Sequence, residues 1–76
     1  MPKLPVITPQ KLLKVLEFVG FVHVGGSGSH KVMKHNDGRR TTVPMHGKDI
    51  PKGTLLAIIR DIEISKEELS NSIKNK

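Results

Sequence analysis

Two apolar stripes of the same spacing bracket the chain, and they restrict what it can fold into. Leu12, Val15, Leu16 and Val19 fall at i, i+3, i+4 and i+7; Leu55, Ile58, Ile59 and Ile62 repeat the pattern. That period marks one face of an α-helix, and each stripe must be buried against something. The residues between them follow a different period. Phe21–Val24, His30–His35 and Arg39–Val43 are short and rich in alternating or β-branched residues, which reads as three strands. The expected class is α+β in the order α-β-β-β-α. A three-stranded antiparallel sheet with both helices on one face buries both stripes at once.

Local signals set the boundaries. Thr8 can cap a helix and Pro9 suits its first position. Gly20 is placed to end that helix in a left-handed turn. Pro2 and Pro5 keep residues 1–7 extended, as an arm. Three glycines among Gly25–Ser29 predict a loop. Asp37-Gly38 suits a two-residue type I′ hairpin turn, and Pro44 closes the third strand or places it at an edge. Pro51 marks the first turn of the second helix. Ser65 and Glu68 form a capping box, so a short extra C-terminal helix is expected from Lys66, with Leu69 and Ile73 as its apolar residues. Residues 71–76 read as a frayed tail. With no internal repeat and no linker, 1–76 is expected to be a single domain. Double-stranded-RNA-binding domains share this element order, although fold alone assigns no function.

A chain of 76 residues has a thin core, and this one contains no cysteine to staple it or to bind zinc as thiolate. No apolar run reaches the length of a membrane span, and "MPKLPVITPQ" lacks the apolar region of a signal peptide. The expectation is a cytoplasmic protein with no membrane partner. Thirteen Lys/Arg against seven Asp/Glu give a net charge of +6, which favours a polyanionic partner, RNA among them.

His30 is the best general acid or base in the chain. Histidine titrates near neutral pH, and the small residues before His30, Gly28 and Ser29, let a substrate backbone approach. The bland alternative is a surface histidine at a strand end. A two-residue turn at Asp37-Gly38 sets His30 opposite Met45 and beside His46. One residue of slip sets His30 directly opposite His46 and inverts the face of every side chain. No histidine pair has metal-ligand spacing, so neither a metal nor another cofactor is expected. Lys31, Lys34, Arg39, Arg40 and Lys48 cluster on the hairpin and the connector after it. They can neutralise phosphates, or simply keep a hairpin rim soluble. Stacking aromatics are absent there, which argues against readout on an aromatic sheet platform.

The stretch from Gly28 to Leu69 resembles the HicA toxin family, small mRNA-cleaving members of toxin–antitoxin pairs. The resemblance is carried by Gly28-Ser29-His30, Asp37-Gly38-Arg39-Arg40 and Val43-Pro44-Met45-His46-Gly47. Lys52-Gly53-Thr54-Leu55 and Ile64-Ser65-Lys66-Glu67-Glu68 follow in the same order. It implies a double-stranded-RNA-binding-like fold, a metal-independent endoribonuclease acting on mRNA, a catalytic histidine at His30, and a HicB-like antitoxin as partner. His46 and Lys31 are the candidates to support His30. A non-catalytic RNA-binding module of the same fold is the alternative. Two positions depart from the family pattern. Gly25, Gly26 and Ser27 stand where relatives often carry longer polar or basic side chains, so a basic residue at Gly26 is expected to raise RNA affinity if the loop touches phosphate. Glu63 replaces a glycine after the second helix, where a left-handed turn would be strained.

Overall fold

The computed structural model describes residues 6–64, 68–69 and 71. Within them the order is α1 (Pro9–Phe18), β1 (Phe21–Gly26), β2 (His30–His35), β3 (Arg40–Pro44) and α2 (Lys52–Ile62). The strands form one antiparallel sheet in the order β1-β2-β3, so the expected α-β-β-β-α architecture is the one observed.

Helix α1 begins as its sequence predicts. The Thr8 hydroxyl accepts the Lys11 N–H at 3.2 Å, and Pro9 occupies the first helical position. Leu12, Val15 and Leu16 are fully buried, and Gly20 follows the last turn at φ +104°. Helix α2 buries Leu55, Ile58, Ile59 and Ile62, the stripe read from the sequence. Pro51 precedes that helix as its cap rather than opening its first turn. Glu63 ends it at φ 58°, ψ 40°, so a glutamate does hold the left-handed position where a glycine would be unstrained.

Each strand turns one face to the helices. Phe21 on β1, Met33 on β2, and Thr41 and Val43 on β3 are buried beneath α1 and α2. The Thr41 hydroxyl satisfies itself by donating to Asp61 of α2 at 2.9 Å. Among the described residues no buried side-chain nitrogen or oxygen lacks a partner. Fully burying side chains of this size stabilises by roughly 1.5–3 kcal/mol each, so the one helix-covered face supplies the core. The chain is fastened to the domain just before α1. Ile7 is buried, and its carbonyl accepts the Ile50 N–H at 2.8 Å. Residues 1–5 lie outside the described residues, as do 72–76 and the Ser65–Glu67 part of the expected capping box. Glu68, Leu69 and Asn71 are helical, and Leu69 is buried in the core.

Two features of the sheet differ from the sequence reading. Strand β1 does not stop at Val24. It bulges between His23 and Gly25 and continues to Gly26, which pairs with Lys31. The hairpin loop holds three residues, not two. His35 pairs with Arg39 through a 2.8 Å bond, and the Gly38 N–H returns to the His35 carbonyl at 3.0 Å. Asn36 therefore joins the turn, Gly38 takes φ +102°, and the register moves by one residue. His30 faces Pro44 rather than Met45.

Candidate active site on the bare sheet face

The observed register decides the face of every hairpin side chain. Lys31 pairs with buried Val43, so it points toward the helices, and His30 points to the bare side. Pro44 lies opposite His30 on that same side. His46, two residues further, returns to it. The His30 and His46 rings meet edge to face with centroids 5.7 Å apart. The question left open by the spacing is answered: the two histidines share a face.

Backbone contacts hold His30 from both flanks. On the β1 side its carbonyl accepts the Ser27 N–H at 2.8 Å, and on the β3 side the Ser29 carbonyl accepts the Met45 N–H at 2.7 Å. Gly26 makes the first contact possible. Its φ is +103°, and a Cβ there would sit 2.2 Å from the His30 carbonyl oxygen. A basic side chain cannot be added at Gly26 without moving His30, so the expected gain in affinity does not apply at that position. Side chains complete the support. The Ser29 hydroxyl lies 3.1 Å from His30 Nδ1, and the Ser27 hydroxyl 3.2 Å from that of Ser29. Nδ1 being engaged, Nε2 is the nitrogen left for chemistry.

An open pocket of about 470 Å³ adjoins the pair, with His30, Pro44 and His46 on one side. Its other wall is the entrance to α2, through Asp49, Pro51 and Thr54. The first turn of a helix leaves N–H groups without intrahelical partners and carries positive potential, which suits an anion. The sequence alone assigned no site role to Asp49 or Thr54; both lie in the Gly28–Leu69 stretch whose family likeness was the one available signal.

The expected cations separate into distinct groups. Lys34 and Arg40 pair directly across β2 and β3 on the bare face, at the end of the sheet away from His30. Lys48 is exposed in the loop that carries His46, and Gly28 is exposed in the loop before His30. Lys31 is on the opposite face from both histidines. Arg39 is committed to the fold. It bonds Asp37 through Nε at 2.8 Å, donates to the Ile62 carbonyl at the end of α2, and lies 5.3 Å over the Phe21 ring. The Asp37 carboxyl is held below its ordinary value, first by the Arg39 backbone N–H, then by the guanidinium and His35. Among the described residues no group of three or more His, Cys, Asp or Glu could hold a metal ion, and no helix is long and apolar enough to cross a membrane.

The family model described as the HicA toxin of bacterial toxin–antitoxin pairs matches residues 9–64, from the first residue of α1 to just past α2. No curated protein matches the chain.

Proposed function

The chain belongs to the HicA toxin family of bacterial toxin–antitoxin pairs, and from that membership we propose that it is a ribonuclease toxin that cleaves mRNA with His30 and His46 as its proton-transfer pair. The observation that carries this reading is the contact of the two imidazoles, 5.7 Å between centroids, on the sheet face turned away from α1 and α2, which no helix covers among the described residues. RNA holds its own nucleophile. One imidazole, unprotonated, takes the proton of a 2′-hydroxyl, and that oxygen attacks the adjacent phosphorus. The P–O5′ bond breaks, and the other imidazole, protonated, gives its proton to the departing 5′-oxygen. The products are a 2′,3′-cyclic phosphate and a 5′-hydroxyl end. Ser29 fixes the ring of His30 through Nδ1. The entrance to α2 offers N–H groups to the charge that grows on the phosphoryl oxygens. Lys34, Arg40 and Lys48 hold flanking phosphates. Lys31, on the other face, has no part in the proton transfers.

The steps need only imidazole protons, so cleavage is expected to persist in a chelator. A HicB-like antitoxin neutralises the toxin in the cytoplasm by covering the His30–His46 end of the bare face. The test is His30→Ala and His46→Ala, assayed for RNA cleavage in vitro and growth arrest on expression. Each should lose at least about a hundredfold in rate, the usual worth of a positioned acid or base. A fully active His30→Ala protein overturns the assignment. RNA binding with no cleavage by the unaltered protein makes it a binding module instead.

A further inference from the structure

The bare face continues beyond the two histidines, and its far end has its own character. Four residues along β2 from His30, Lys34 lies in a row with Val22 on β1 and Arg40 on β3. At about 3.3 Å per residue, the two ends are roughly 13 Å apart. Lys34 and Arg40 are directly opposite each other with like charge, an arrangement that costs stability. Among the described residues neither Lys34 nor Arg40 makes an ion pair, so neither cation is compensated. An anion between them would relieve the repulsion. Beside them Val22 and Val24 are 59% and 54% exposed, the bulge having turned Val24 out of the ladder. They border a second open pocket, of about 360 Å³, together with Gly20, Lys34 and Asn36. Between the two ends, the middle row contains Gly25 where β1 would otherwise raise a side chain, and the space over it is open.

We infer that this pocket is a nucleobase subsite: single-stranded RNA lies along the exposed face of β2, with a phosphate between Lys34 and Arg40 and the neighbouring base against Val22 and Val24. The inference rests on the proposed ribonuclease reading and names a second place where the substrate is held. Apolar side chains cover the faces of a base, the Asn36 amide offers a donor and an acceptor to its edge, and the gap over Gly25 leaves room for the backbone beside Val32. The continuity of the face with the histidine pair, and its uncompensated positive charge, favour RNA over a protein as the occupant.

The test measures binding of a 2′-O-methylated single-stranded RNA, which cannot react, by fluorescence anisotropy. A series in which each base in turn is replaced by an abasic unit is compared with the intact strand. For the unaltered protein, one abasic position away from the scissile site should weaken binding roughly tenfold, the worth of two apolar contacts. Val22→Ser/Val24→Ser should lose a similar factor on the intact strand and nothing further on that abasic strand. Both side chains are exposed, so the variant should fold, and circular dichroism checks this. Equal affinity for intact and abasic strands overturns the subsite. So does a variant that binds RNA normally yet escapes its antitoxin, which would make the face a protein dock. Cleavage is scored separately. Base-dependent binding without cleavage sinks the ribonuclease reading and leaves the subsite standing; cleavage with base-independent binding does the reverse.

Discussion

Replacing Arg39 by alanine tests whether this cation serves the fold or the substrate. Its guanidinium reaches three partners on three parts of the chain: Asp37 in the turn, the Ile62 carbonyl at the end of α2, and the Phe21 ring of β1. The Asp37 pair is exposed and contributes little. The part-buried, charge-assisted bond to Ile62 is worth roughly 1.5–3 kcal/mol, and the ring contact about 0.5–1 kcal/mol. Some of this returns when water reaches the freed carbonyl, which leaves a net loss of about 2 kcal/mol. In a domain of this size each kcal/mol moves the midpoint by about 4–8 °C, so Arg39→Ala should melt roughly 8–16 °C lower. Thermal and urea unfolding followed by circular dichroism measure it. Arg39→Lys should recover little, because an ammonium cannot serve Asp37 and Ile62 together. Unfolding within about 0.5 kcal/mol of the unaltered protein, combined with a clear loss of RNA affinity, would refute the reasoning and return Arg39 to the phosphate-binding group.

Four further outcomes follow from the backbone and the turn. Gly26→Ala should cost more than about 2 kcal/mol in urea unfolding and lower cleavage, because its Cβ meets the His30 carbonyl and its φ is left-handed. Gly25→Ala, one residue away in open space, should stay within about 0.5 kcal/mol of the unaltered protein. Glu63→Gly should stabilise by about 0.5–1 kcal/mol, since relief of the left-handed strain exceeds the added freedom of the unfolded chain. Asp37 has a folded pKa below its ordinary 3.8. Its contribution to stability is therefore present above that value and is lost as pH falls through the lower, folded one. The acid limb of a melting-temperature profile should lose this component in Asp37→Asn.

The helices were legible because each stripe is a local pattern that burial simply uses, as Leu16 and Ile62 show. The strand register was not, because it turned on whether Asn36 belongs to β2 or to the loop. Nothing in a short polar run separates two-residue from three-residue turns, and one residue reverses every face. The same limit governed the candidate site. His30 could be singled out by its chemistry, but its contact with His46 depends on the register, and so does the placing of Lys31 on the other face. Arg39 read as one cation among several, since its carbonyl partner is 23 positions away. Gly26 read as loop filler because the backbone oxygen that excludes its side chain arrives only when β1 and β2 pair.

The division of the sheet into a covered and a bare face has a genetic consequence. Substitutions that silence a toxin of this design fall into two kinds. Those at Leu12, Met33 or Ile58 attack the core and remove the protein. On the proposed mechanism, those at His30 or His46 silence it while leaving it folded and abundant. Alleles of the second kind are not empty: they accumulate a harmless protein of toxin shape, which competes with any active copy for the same antitoxin. Survivors of toxin expression should therefore sort by immunoblot into null and decoy classes, and only the decoys should sensitise a cell that still carries an intact gene.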